Sequence, residues 1–113
     1  MSANRRRGEI SAELDGRPHR LCLTLGALAE LEATYAADDL TALVERFSAG
    51  RLSALDMMRV IGAGLRGAGE DIADEEVGAM QCENGAAGFA AIVSELLMAT
   101  FGSAGGQAPT PNP

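Results

Sequence analysis

Few residues in this 113-residue chain are of a type that does covalent or proton-transfer chemistry. There is one histidine, His19, and there are two cysteines, Cys22 and Cys82. His19 and Cys22 lie three apart, which would serve a thiol–imidazole pair only if both side chains shared a face. On a strand, positions three apart point to opposite faces, and a zinc site needs about four converging ligands. A general base also needs a nucleophile or acid within hydrogen-bond reach. Ser11, the nearest hydroxyl in sequence space, is expected on the other face. His19 is therefore expected to make a surface contact, and the cysteines to be unpaired, buried thiols of a reducing compartment. No catalytic residue, cofactor or metal ligand is expected, and the chain reads as a non-enzyme.

Two runs imitate known sites. Gly62-Ala63-Gly64-Leu65-Arg66-Gly67 spells GxGxxG. A dinucleotide fingerprint must follow a strand and open a helix, so that the helix N-terminus faces the pyrophosphate. Here the glycines close a helix and would present carbonyls to an anion. The acidic run Glu70, Asp71, Asp74, Glu75, Glu76 lacks the alternate ligand spacing and central glycine of a calcium loop. Its carboxylates suit a helix N-terminus instead.

The elements that position these residues are legible from turns and periodicity. Asp15-Gly16 separates two alternating runs, a hairpin signal because both central residues of a type I′ turn need positive φ. A two-residue loop sets Leu14 opposite Arg17, Ala12 opposite His19 and Ile10 opposite Leu21, with Leu23 and Leu25 continuing the apolar face. A lone hairpin is marginal in water, so helices must cover it. Thr24 is placed to cap a first helix near Leu25 to Ala36, with Leu25, Leu28, Leu31 and Tyr35 in one stripe. Asp38 or Asp39 caps a second, with Leu40, Leu43, Val44 and Phe47 inward and Gly50 as its stop. Ser53 and Asp56 open a third, Ala54 to Arg66. Its apolar residues Leu55, Met57, Met58, Val60, Ile61 and Leu65 cover more than half the circumference, leaving Asp56, Arg59 and Arg66 on one narrow side. Gly62 and Gly64 mark a place where a neighbouring backbone could approach closely.

A short acidic helix near Asp74 to Met80 follows, with Val77 and Met80 inward. Asn84-Gly85 makes the next turn. A last helix, Ala86 to Phe101, carries one charge, Glu95, and is apolar nearly all round. Such a helix is buried or covered by a partner. It falls short of the roughly 20 apolar residues that span a bilayer, and no other stretch approaches a span. The expected fold class is α+β, an N-terminal β-hairpin followed by a bundle of about five helices, predominantly α. Residues 1–7 are expected as a flexible basic arm that could meet an acidic partner. Residues 8–101 are expected as one domain, and residues 102–113 as a disordered Gly/Pro-rich tail.

The formal net charge is −7, and all nine basic residues are arginine. That balance argues against nucleic-acid binding. The chain is expected to be cytoplasmic, with no membrane partner. The methionine-rich third helix and the last helix hold more apolar surface than one side of a core requires. Met57, Met58, Ile61, Leu65, Phe89, Ile92 and Leu96 are the expected partner-binding residues for apolar helical segments.

GEISAELDGRPHRLCLTLGALAELE resembles the opening of tail-assembly proteins encoded in gene transfer agents and related tailed-phage clusters of alphaproteobacteria. The similarity continues through DDLTALVERFSAGRLSALD (Asp38 to Asp56), IGAGLRGAG (Ile61 to Gly69), DEEV (Asp74 to Val77) and GFAAIVSELLMATFG (Gly88 to Gly102). The resemblance implies a small tail-morphogenesis protein, a tail assembly chaperone that covers the helical tape measure protein until tube subunits polymerise. The alternative it leaves is a tube or joint component retained in the particle, although tail tubes are generally built from closed β-rings and only one hairpin is expected here. Implied partners are the tape measure protein or other tail proteins. Homo-oligomerisation stays open, and a small regulatory domain or enzyme is a distant third.

Overall fold

The computed structural model describes residues 8–48 and 51–102. The expected arm, the stop at Gly50 and the expected tail beyond Gly102 therefore lie outside the described residues. The chain is α+β: two antiparallel strands, β1 (Glu9–Leu14) and β2 (Arg17–Cys22), then five α-helices. These are α1 (Leu25–Tyr35), α2 (Leu40–Ser48), α3 (Ala54–Gly67), α4 (Asp74–Gly78) and α5 (Gly85–Leu97), the last continued by a π-turn, Met98–Gly102.

The hairpin has the expected register: Leu14 faces Arg17, Ala12 faces His19, and Ile10 faces Leu21. Asp15 and Gly16 take φ of 55° and 75°, the double left-handed turn whose twist matches that of the strands. Ile10, Leu14, His19 and Leu21 are buried on one face, while Ser11, Glu13, Pro18 and Arg20 are exposed on the other. The turn is tied down: the Asp15 N–H donates to the Gln81 carbonyl, and the Gln81 N–H donates to Asp15 Oδ1, each at 2.8 Å.

Helix starts follow their caps. Thr24 Oγ1 accepts from the Ala27 N–H at 3.1 Å, and Asp39 rather than Asp38 caps α2, accepting from the Ala42 N–H at 2.9 Å. Ser53 and Asp56 form a complete capping box. Each such cap is worth about 1 kcal/mol. In α4 only the returning half of a box exists, the Ala73 N–H donating to Glu76 at 2.8 Å, because alanine has no acceptor. That helix ends at Gly78, two residues before the expected Met80.

α3 is the centre of the molecule. Val60 to Leu65 are buried without a break, with α1, α4, α5 and β2 packed around them. Its glycines admit neighbours, but not as the sequence suggested. Gly62 and Gly64 lie against side chains, those of Asp74, and of Leu21 and Leu96. The close backbone approach is at Gly67, where an added Cβ would sit 2.0 Å from the Cys22 carbonyl oxygen.

Three expected apolar positions are not core. Leu25 is 77% exposed, Leu55 48% and Leu40 39%. Each is the first or second residue of its helix, where the chain has not yet come under the covering elements. α1 buries Ala27, Leu28 and Leu31 instead. Asp56, expected on the polar side of α3, is buried. The cysteines are free and half-buried rather than buried.

The last helix ends differently from its expectation. Thr100 Oγ1 donates to the Leu96 carbonyl at 2.7 Å, a side-chain bond that competes with the backbone ladder. The closing turn is a π-turn, and Gly102 still belongs to it. The resulting continuous helix, Gly85–Gly102, is 18 residues long and by length and composition alone reaches the range of a membrane span, contrary to the expectation that no stretch approaches one. In this fold Ile92, Val93 and Leu96 are buried in the core.

Candidate functional site

His19 is 7% exposed, not a surface residue. Its Nδ1 lies 2.8 Å from Glu70 Oε2, and its Nε2 is buried without a partner among the described residues. The hairpin register had already placed it opposite Ala12, on the core face. The contact joins β2 to the segment that leaves α3. Cys22 lies on the opposite strand face. Burial pushes the thiols of Cys22 and Cys82 up, with Glu9 and Glu83 adding to the effect. Both therefore rest as thiols rather than as the thiolate that attacks or binds metal. Among the described residues no three His, Cys, Asp or Glu side chains converge to hold a metal ion.

The GxGxxG run lies within α3, and the space beside Gly62 is filled by the Asp74 carboxylate, 2.2 Å from where a Cβ would be. An acidic neighbour repels phosphate, so the run packs the fold. Asp74 in turn accepts from Arg66 Nη1 at 3.0 Å, and Arg66 also pairs with Glu30.

Sequence reasoning missed a polar knot joining α1, α2 and α3. The Tyr35 hydroxyl donates to Asp56 Oδ1 at 2.5 Å, Arg46 Nη2 donates to the same oxygen at 3.4 Å, and the Ser53 N–H donates to Oδ2 at 2.9 Å. The guanidiniums of Arg46 and Arg59 lie 4.8 and 5.3 Å from the Tyr35 ring centroid. Phe47 meets that ring edge-on at 5.4 Å. Burial pushes the Asp56 carboxyl up, but the bonds from Tyr35 and Ser53 and the Arg46 charge outweigh it, leaving its pKa below the ordinary value. Burial and the Asp56 bond raise that of Tyr35. The knot holds three helices together.

The open apolar feature is a groove of about 170 Å³ between α3, α4 and α5. Met57, Met58 and Phe89 line it and are half-buried, and Ile61 and Val77 form its floor. Four of the seven residues expected to meet a partner thus meet at one place. The other three, Leu65, Ile92 and Leu96, are buried in the core and have almost no surface to offer. A second, wider hollow between α2 and the π-turn, lined by Phe47, Leu52, Leu97 and Phe101, was not expected. Met98, 64% exposed, lies at its edge.

Neither the curated proteins nor the solved structures compared with this chain include a match. A family model described as "Phage tail tube protein, GTA-gp10" matches residues 7–103. That description agrees with a gene transfer agent tail protein and names the tube, not a tail assembly chaperone. The match takes in both strands, all five helices and the π-turn, and the chain belongs to this phage tail tube protein family.

Proposed function

We propose that the protein is a non-enzymatic structural component of a phage-like gene transfer agent tail, a tube or joint subunit that stays in the particle. The observation that carries this reading is the family match over residues 7–103. The state of the reactive side chains supports it: His19 is engaged by Glu70, and both thiols are held protonated. Its partners are other tail proteins. It is made in the cytoplasm and ends in the particle.

The chaperone reading keeps one observation in its favour. The groove at Met57 and Met58 is apolar and open, and methionine-lined surfaces accept varied apolar helices. Mass spectrometry of particles purified away from cell lysate separates the two. The structural reading expects the protein in the particle fraction after nuclease treatment and density banding. Its presence in producing cells and absence from banded particles would leave only the chaperone reading.

A further inference from the structure

Helix α5 is covered on one side only. Ile92, Val93 and Leu96 are buried in the core, while Ala87, Ala91, Ser94 and Met98 are exposed along the other side. These four follow one another at intervals of four, three and four residues, the mean spacing of about 3.5 that makes a seam between paired helices. The seam carries no charge, because Glu95, the one ionisable residue of α5, is not part of it. At its C-terminal end Ser94 and Met98 run into the hollow of about 530 Å³, whose facing wall is Val44 and Ser48 of α2 and then Leu52.

Two properties of this face say what covers it. The first is size. Its N-terminal half is Ala87 and Ala91, whereas its C-terminal end is the long side chain of Met98. Two such helices packed in parallel would set methionine against methionine and leave a gap between the alanines, whose lining loses its contacts. Packed antiparallel, each Met98 lies over the Ala87 of the other helix and each Ser94 over its Ala91, so large meets small. The second is charge. Arg51 is exposed and adjoins Leu52 of the hollow, at the Met98 end of the face. Glu83 is exposed two residues before α5 begins, at the Ala87 end. Neither has an ion pair among the described residues. The register that pairs Met98 with Ala87 also brings the Arg51 end of each copy to the Glu83 end of the other.

We propose that the exposed face of α5 binds the same face of a second copy of this chain, antiparallel about a two-fold axis. The seam spans eleven residues, about 17 Å, and even with the α2 wall it falls at the small end of specific interfaces, so the dimer is reversible. A two-fold contact closes at two copies. It concerns the free protein and goes beyond its place in the particle, so either reading can fail without the other.

Sedimentation of the purified full chain from micromolar to millimolar concentration tests the pairing. A monomer–dimer equilibrium is expected, with an upper limit of twice the 11.6 kDa of one chain. Ala91→Glu, at an exposed position, is expected to keep the circular dichroism spectrum and to weaken association about a hundredfold. Arg51→Glu or Glu83→Arg is expected to weaken it about five- to thirtyfold, and the double variant R51E/E83R to restore it. Orientation is read from a chain carrying both Ala87→Cys and Met98→Cys, oxidised, digested and mapped by mass spectrometry. An 87–98 linkage between copies is expected, since within one helix these positions lie about 17 Å apart, beyond the reach of a disulfide. A chain that stays monomeric at every concentration overturns the proposal and leaves the face to another tail protein. Association indifferent to Ala91→Glu or to both charge reversals overturns it, as do 87–87 and 98–98 linkages.

Discussion

Asp56 occupies a position in α3 where burial normally selects an apolar residue, yet it stays ionised because Tyr35, Ser53 and Arg46 converge on its two oxygens. Its folded pKa lies below the ordinary value of 3.8. A depressed carboxylate contributes stability that is complete above the unfolded pKa and disappears as pH falls through the folded one. Thermal melts are therefore expected to lose this contribution below about pH 4, and Asp56→Asn to flatten that part of the profile. At neutral pH the same substitution sets an amide N–H₂ against a donor and is expected to cost about 1–3 kcal/mol in urea denaturation. An unchanged midpoint would mean that the knot is not structural. His19→Ala removes a buried side chain and leaves Glu70 without its partner, and a loss of about 1–3 kcal/mol is expected. Both roles are invisible to motif reading for the same reason. The partners, Glu70 for His19 and Tyr35 for Asp56, lie 51 and 21 residues away, a separation that only the packed fold closes. For His19 a signal did exist, since its cross-strand partner Ala12 already set it on the inner face.

Among the elements, local chemistry was the most legible. The Asp15-Gly16 turn fixed the hairpin register, and Thr24 and Ser53 marked helix starts, because each acts on backbone within a few residues. Helical periodicity was less faithful at the ends: Leu25 continues the stripe of α1 but projects beyond the elements that cover Leu28 and Leu31. Leu28→Ala is accordingly expected to cost about 2–5 kcal/mol, and Leu25→Ser to stay within about 0.5 kcal/mol of the parent. Equal costs would contradict the burial pattern. Gly67 is the element-level contact that no pattern announced. Its hydrogen lies where a methyl would collide with the Cys22 carbonyl, so Gly67→Ala must push β2 off α3. That substitution is expected to destabilise by more than about 2 kcal/mol, or to prevent folding, in the same denaturation assay. The π-turn was illegible too, because Thr100 reads as an ordinary late helical residue until its hydroxyl is seen on the Leu96 carbonyl.

At the scale of the whole molecule, an acidic chain offers an apolar groove between α3, α4 and α5. Four groove residues were legible as apolar excess on α3 and α5, but the division between groove and core was not. Met57, Met58, Ile61 and Phe89 line the groove beside Val77 and Gly78 of α4, whereas Leu65, Ile92 and Leu96 are buried in the core. Met58→Asp is expected to leave the fold intact, since Met58 is half-buried at an open rim, whereas Leu96→Asp places a charge in the core and is expected to abolish the folded spectrum. The central claim is that the chain is a part of the tail and not only a helper in building it. Absolute quantification of this protein against the other tail proteins in banded particles tests that most directly. The account predicts several copies per particle, at a ratio that stays constant across the band. Amounts that fall away with each round of purification, while the other tail proteins stay constant, would contradict it.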